Sequence, residues 1–209
     1  MIEKFCNFLT NKIRKTVPEI TDEKAEIINY GLQNIVGEIP KIFIFIGIAY
    51  LFGIGNISLL AFLIITPYRS FSGGFHLHTH IGCIVVSTLL YSGTALLGNY
   101  IVLEMYMKYI LIAVVWLFGM IMIKLYAPAD TENVPILRKK DRKKKKILSY
   151  ITLSITLIIA LIIKEQTISN IIIFGMLFQT ITITRIAYKI TNNKYGYEVY
   201  EKDAEGIQD

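Results

Sequence analysis

The sequence has little charge for its length and little polar sequence between its apolar runs. Only 18% of the 209 residues are charged, whereas 54% are hydrophobic and the mean hydropathy is +0.51. Soluble domains contain about 25% charged residues and about 45–50% apolar ones. Several apolar runs approach the roughly 20 residues that cross a hydrocarbon core. A chain this short cannot cover so many runs with polar sequence, which argues against a soluble domain and predicts an integral membrane protein.

The first 38 residues carry too many charges to hold the apolar core of a cleavable signal peptide, so we expect none. Apolar residues at helical spacing over 2–13 predict an amphipathic helix. Thr21, followed by two acidic residues, predicts the start of a second amphipathic helix that ends near Pro40. We expect these helices to lie on the membrane or to pack against a partner.

Five apolar stretches are candidate membrane segments. They cover residues 42–66, 81–98, 106–126, 147–163 and 168–188. The first is longer than a single span requires, and it contains the sequence Gly53-Ile54-Gly55-Asn56 near its middle. It is therefore either one tilted helix or two short segments hinged at these residues.

Positive charge is concentrated in one stretch, "RKKDRKKKK" at 138–146. It holds eight of the 22 basic residues and one acid, a net +7, so the rest of the +6 chain sums to −1. By the positive-inside rule this stretch is cytoplasmic, where it contacts anionic lipid headgroups. A nucleic-acid role is disfavoured, because the stretch lies between two spans with no DNA-binding fold around it.

Successive loops alternate sides of the membrane, which places the loop at 67–80 inside and the loop near Asn99 outside. Two segments within 42–66 then keep both termini inside. The sequence predicts an all-α polytopic membrane protein with about six membrane segments, the first two short or re-entrant, preceded by amphipathic N-terminal helices. It forms one domain over 1–209, with N-terminal helices at 1–38, membrane segments at 39–190, cytoplasmic loops at 67–80 and 126–146, and a cytoplasmic tail at 191–209.

The stretch "SFSGGFHLHTHIGC" at 70–83 holds all three histidines of the chain and one of its two cysteines. In the simplest interpretation the histidines lie at the membrane interface and Cys83 is a small buried hydrophobe. A metal site is a second interpretation, with His76, His78, His80 and Cys83 as ligands. Zinc sites, however, normally pair two short ligand hooks, and this pattern does not.

Nucleophilic catalysis is the third interpretation. A thiol needs a nearby base, because its ordinary pKa of about 8.5 leaves little thiolate at neutral pH. On one continuous helix His76 and Cys83 would lie about 10 Å apart along the axis, so this pair requires a loop that folds back over the helix start. Gly73 and Gly74 supply the freedom for such a loop. His80, three residues before the cysteine, is the easier partner on a regular helix, and spacing does not choose between the two.

The motif "RSFSGGFH", with a cysteine seven residues after its histidine, resembles the accessory gene regulator B (AgrB-like) family of membrane cysteine peptidases. The resemblance continues in "IPKIFIFIGIAYL", "YAPADTENVPI" and "LIIKE", which occur in the family's order. It covers most of the chain, from the amphipathic N-terminus to the last span.

This resemblance implies that Cys83 is the catalytic nucleophile and His76 its base. Arg69, Gly73 and Gly74 fall on the motif's other positions, with supporting or substrate-binding roles. His78 and His80 fall where the family needs no histidine, and no third catalytic residue is evident.

The implied function is cleavage of an AgrD-like precursor peptide through an acyl-thioester, followed by cyclisation to the autoinducing peptide of quorum sensing. The resemblance further implies a homodimer in the bacterial cell membrane, and we expect no metal, cofactor or nucleic acid. The alternative function is a non-enzymatic transporter or peptide-export module. Transport paths carry ionisable residues at mid-membrane, whereas Glu104, Lys108 and Lys124 lie at span ends.

Overall fold

The computed structural model describes residues 2–17, 20–77, 79–132 and 134–200, and these residues form α-helices with no β-strand among them. The all-α prediction is confirmed. The helices are α1 (Ile2–Thr16), α2 (Asp22–Leu51), α3 (Gly55–Ser72), α4 (His80–Tyr100), α5 (Met105–Tyr126), α6 (Lys139–Ile162), α7 (Gln166–Thr182), α8 (Arg185–Ile190) and α9 (Gly196–Val199).

Helix α2 starts where the sequence predicts and ends later. The Thr21 hydroxyl accepts a hydrogen bond from the backbone of Lys24 at 3.4 Å, which caps the first turn. The predicted end near Pro40 is wrong, because α2 runs through this proline to Leu51. A proline removes one backbone donor. The helix tolerates this loss because it packs against α1, α3 and α4 along its length.

The long apolar stretch at 42–66 forms two helices. They are separated by a turn at 52–54, in which Gly53 has φ +72°. The Tyr50 hydroxyl donates to the Asn56 side chain at 2.8 Å and ties the two helix ends together. The hinged interpretation is therefore the one that the chain adopts.

Within the part of the chain that the structure describes, three helical stretches are long and apolar enough to cross a membrane: Ile81–Tyr100, Met105–Tyr126 and Lys139–Ile162. A shorter apolar stretch covers Ile39–Leu51. The outward sides of α5 and α6 expose large aliphatic residues, among them Leu117, Ile121, Ile155 and Ile158. Such surfaces suit lipid tails, whereas the count of six membrane segments stays a prediction.

Helix α7 is the centre of the bundle and packs against α3, α4, α5 and α6. Its residues from Ser169 to Ile173 are all fully or almost fully buried. Small residues bring the helices close, since a Cβ on Gly98 would contact the backbone of Ile171 and one on Gly175 would contact Ile65. The predicted span at 168–188 is shorter than expected, because α7 ends at Thr182.

The two ends of the bundle differ. At one end, the Asn170 amide donates to the Ile101 carbonyl at 2.7 Å, and Lys108 donates to the Ile163 carbonyl at 3.1 Å. The other end, called here the loop end, gathers residues 73–77, 79, 127–132, 134–138 and 183–200. The predicted loop at 67–80 is shorter than expected, because α3 continues to Ser72. Its described residues lie at the same end of the bundle as the start of the basic helix α6, whose Arg142 binds Asp130, and the cytoplasmic side of both stays a prediction.

Most of the basic stretch is helical. Helix α6 begins at Lys139, so the loop predicted over 126–146 covers only 127–138, and residues 139–146 form the first two turns of α6. Lysine and arginine are good helix formers. Lys146 also donates to the Lys124 carbonyl at 2.7 Å, which joins α6 to α5.

The part of the predicted tail that the structure describes, residues 191–200, packs onto the loop end. Tyr195 is 2% exposed, and its ring stacks on that of Tyr188 with centroids 4.0 Å apart. Burial raises the pKa of Tyr195, so its hydroxyl stays protonated and donates to the Ile183 carbonyl at 2.9 Å. Residues 201–209 lie outside the described chain.

The hinged arrangement predicts which positions a membrane-impermeant maleimide reaches in intact cells. In a background lacking both native cysteines, Phe52→Cys and Asn99→Cys should be labelled from outside. Lys12→Cys and Lys144→Cys should be labelled only after permeabilisation, since the positive-inside rule predicts that the basic stretch and both termini lie in the cytoplasm. External labelling of Lys12→Cys together with protection of Phe52→Cys would contradict this topology.

Candidate active site

Cys83 lies in the first turn of α4. Thr79 caps this helix: its hydroxyl accepts from the Gly82 backbone at 3.1 Å, and its carbonyl accepts from the Cys83 backbone at 3.0 Å. The N-terminus of a helix presents partial positive charge to a nearby anion. A thiolate formed at Cys83 would therefore meet a favourable field.

The chain before α4 folds back over the start of the helix. The Cys83 thiol donates to the Leu77 carbonyl at 3.2 Å, and a Cβ on Gly82 would contact the Leu77 side chain. His76 therefore lies on a loop rather than on α4, and it is exposed. Its side chain lines the same cavity as that of Cys83. The continuous-helix alternative, in which this histidine is out of reach, is wrong.

The structure describes only one of the other two histidines. His80 is the first residue of α4, whereas His78 lies outside the described residues. In the described chain, no group of three His, Cys, Asp or Glu side chains could hold a metal ion. The four-ligand hypothesis, which needs His78, gains no support from the described part.

Both glycines of the motif adopt backbone conformations that favour glycine, with φ +76° at Gly73 and +143° at Gly74. A close backbone contact explains why residue 73 is a glycine. The Gly74 N–H donates to the Ala129 carbonyl at 3.0 Å, and the Ala129 N–H donates to the Ser72 carbonyl at 2.8 Å. A Cβ on Gly73 would overlap the Ala129 carbonyl, which cannot rotate away as a side chain can.

Gly74 lies against side chains instead. A Cβ there would lie 2.7 Å from the Thr182 hydroxyl and 3.2 Å from Arg69 Nη1. The Arg69 guanidinium donates through Nη1 to Gln179 at 3.0 Å and through Nη2 to the Phe75 carbonyl at 3.1 Å. Arg69 therefore binds the residue directly before His76, a contact that the sequence did not reveal.

The loop at 127–138 forms another wall of the site. The Asp130 side chain is 1% exposed, and its Oδ2 accepts from Arg142 and from the Ile136 backbone, both at 2.9 Å. The Tyr188 hydroxyl donates to the Ala129 carbonyl at 2.7 Å. These contacts fix the segment that pairs with the two glycines.

A cavity of about 400 Å³ opens beside Cys83 and His76. Its lining includes an aromatic cluster, in which the rings of Phe45, Phe62 and Tyr91 lie 5.2–6.0 Å apart, centre to centre. Its polar lining includes Lys41, Arg69, Asp130 and Lys145. The cavity thus brings together a nucleophile, a cluster of aromatic rings and several charged groups, most of them cationic.

Sequence reasoning missed Asp130, Tyr188 and Gln179. The acid within "YAPADTENVPI", followed by a basic stretch, was a signal for the Asp130–Arg142 ion pair. A lone amide in the apolar run "IIIFGMLFQTITIT" was a signal for Gln179, since buried polar groups in such runs are costly without partners. Nothing in the sequence near Tyr188 connects it with Ala129.

Comparison with known proteins gives matches over most of the chain. Residues 6–183 match the family model described as "Accessory gene regulator B". A "Putative AgrB-like protein" of Listeria innocua serovar 6a is 30% identical over 182 residues, which cover 86% of this chain and 87% of that protein. Another of that name, from Clostridium acetobutylicum, is 27% identical over 205 residues, covering 97% and 95%.

The "Accessory gene regulator protein B" of Staphylococcus epidermidis is 26% identical over 195 residues, which cover 93% of this chain and 95% of that protein. No solved structure matches. The family model spans most of the chain, from the first amphipathic helix to the end of α7, and it includes every residue of the Arg-Gly-Gly-His-Cys motif. The chain therefore belongs to the accessory gene regulator B family.

Proposed function

We propose that this protein is a membrane-embedded cysteine endopeptidase that cleaves an AgrD-like precursor peptide and promotes its closure into an autoinducing peptide. One observation carries the proposal: Cys83 at the start of α4 and His76 on the folded-back loop line one cavity. Membership of a family of accessory gene regulators supports a quorum-sensing role.

The first step transfers the acyl group of the precursor to the enzyme. His76 takes the thiol proton of Cys83, and Sγ attacks the scissile carbonyl carbon. The peptide C–N bond then breaks, His76 returns the proton to the leaving amine, and an acyl-thioester forms. The Leu77 carbonyl, which accepts a hydrogen bond from the Cys83 thiol in the resting structure, loses this bond when the proton moves to His76.

The second step releases the acyl group to a nucleophile within the precursor itself. Exchange of one thioester for another is close to neutral in energy, so cyclisation competes only where water is kept away. The aromatic cluster of Phe45, Phe62 and Tyr91 gives an apolar part to the cavity that Cys83 also lines. Exclusion of water there favours ring closure over hydrolysis.

The same proposal includes the setting of the enzyme. The loop end faces the cytoplasm of a bacterial cell, and the basic first turns of α6 contact anionic lipid headgroups. We also propose that the enzyme works as a homodimer, as the resemblance implies. It requires no metal or cofactor, because the thiol and the imidazole carry the chemistry.

The proposed pair predicts a defined mutational pattern. Cys83→Ala and His76→Ala should each abolish cleavage, and Cys83→Ser should retain little activity because a hydroxyl is much harder to deprotonate. His80→Ala is the matched control and should retain most activity. Cleavage is measured by mass spectrometry in a host that co-expresses an AgrD-like precursor peptide, with immunoblots of the membrane fraction for insertion.

Two results would overturn this assignment. Loss of cleavage in His80→Ala with survival in His76→Ala would make His80 the base. Inhibition by a chelator, with recovery on adding zinc, would revive the metal site.

The glycine geometry predicts a second pattern. Gly74→Val should insert normally but cleave at least about tenfold more slowly, or roughly 1.4 kcal/mol in the barrier, because a Cβ at this φ is strained and meets Thr182 and Arg69. Gly74→Ala should fall by less. Gly93→Val is the matched control, since a Cβ at this helical glycine meets no atom within 4 Å. Equal cleavage by Gly74→Val and the native chain would refute the proposed role of the fold-back loop.

A further inference from the structure

The last turn of α7 carries a glutamine, Gln179, that no step of the proposed reaction uses. Its side chain is 0% exposed and lies in an otherwise apolar run. A buried amide costs free energy unless both of its ends find hydrogen-bond partners. The partners of Gln179 therefore indicate what the residue does.

The hydrogen bonds of this amide that the structure shows all go to the end of α3 and the glycine after it. Its Oε1 accepts from Arg69 Nη1 at 3.0 Å. Its Nε2 donates to the Ser72 hydroxyl at 3.1 Å and to the Gly73 carbonyl at 2.8 Å. One side chain thus binds three residues that lie more than a hundred positions away in the chain.

Through Arg69 the amide reaches the residue that precedes His76. Arg69 Nη2 donates to the Phe75 carbonyl at 3.1 Å, while the Phe75 N–H donates to the Thr182 carbonyl at 3.3 Å. The last turn of α7 therefore holds Phe75 by both backbone groups, one directly and one through the Gln179–Arg69 pair. These two bonds fix the backbone position from which the side chain of the next residue, His76, extends.

We propose that Gln179 is a positioning residue, which holds Arg69 and the Gly73 carbonyl so that the loop carries His76 to Cys83. The inference rests on the proposed function, since the positioned group is the proposed base. Gln179 is not among the residues that line the cavity. It acts through Arg69, to which it is hydrogen-bonded. Its substitution should therefore disable His76 without changing the thiol directly.

The test measures the rate at which iodoacetamide alkylates Cys83 near neutral pH, which requires no peptide substrate. The purified protein carries Cys6→Ala, so that Cys83 is its only thiol. His76→Ala and Gln179→Met should each slow alkylation by about tenfold, because either change removes the base that supports the thiolate. The double variant should be no slower than either single one, since residues acting as one unit are not additive.

Asn170→Leu is the matched control. Asn170 is also 0% exposed on α7, and its amide donates to backbone carbonyls at Gly98 and Ile101, at the opposite end of the bundle. Its loss should lower the unfolding temperature and leave alkylation within about twofold of the native rate. An equal slowing in Asn170→Leu and Gln179→Met would show a merely structural effect and overturn the inference.

Gln179→Glu is the conservative variant. A carboxylate still accepts from Arg69 but cannot donate to Gly73, so alkylation should fall between the native rate and that of Gln179→Met. Where the methionine variant does not fold, this variant decides. If Gln179→Glu lowers the alkylation rate of Cys83, but has no effect on that rate in the His76→Ala background, the inference is supported. A native alkylation rate in Gln179→Glu overturns it.

The experiment separates two failures. A native alkylation rate in His76→Ala would refute the proposed pair, and the positioning role with it. A slow His76→Ala beside a native Gln179→Met would leave the pair standing and refute the positioning role alone.

Discussion

The backbone contact between the two glycines and Ala129 is the constraint on which the rest of the loop end depends. Two hydrogen bonds join chain segments that follow α3 and α5, and the overlap of any Cβ on Gly73 with the Ala129 carbonyl leaves room only for glycine there. Ser72, Gly74 and Ala129 are buried, and a buried backbone group needs a hydrogen-bond partner. The contact meets that need and brings the loop at 127–138 against the loop that carries His76.

Much of this arrangement follows from local sequence. The helix starts at Thr21 and near Cys83 follow from capping residues and apolar periodicity, which act over a few positions. The turn near Gly53 and the fold-back after Gly74 were each one of two alternatives that the glycines left open. The end of α2 did not follow, because packing of this helix against its neighbours outweighs the lost hydrogen bond at Pro40. Local rules describe a helix's own preferences and not what its neighbours provide.

The site was predictable only in part for the same reason. Cys83 and His76 are seven positions apart, so a motif and a loop argument reach both. Gln179 and Ala129 contact the same segment from positions 106 and 56 residues away along the chain. No periodicity or spacing joins such distant residues, and only the packing of α7 and the loop after α5 against α3 brings them together.

The hydrogen bonds at the loop end form two supports for one loop. Gln179 holds it from α7 through Arg69, and Ala129 holds it from the other side through backbone pairing. Ala129 is itself held by Tyr188, whose ring stacks on the buried Tyr195. Both tyrosines lie beyond residue 183, where the family match ends. The geometry around Cys83 therefore depends on a C-terminal segment outside the matched region, since the wall that fixes the glycines rests on it.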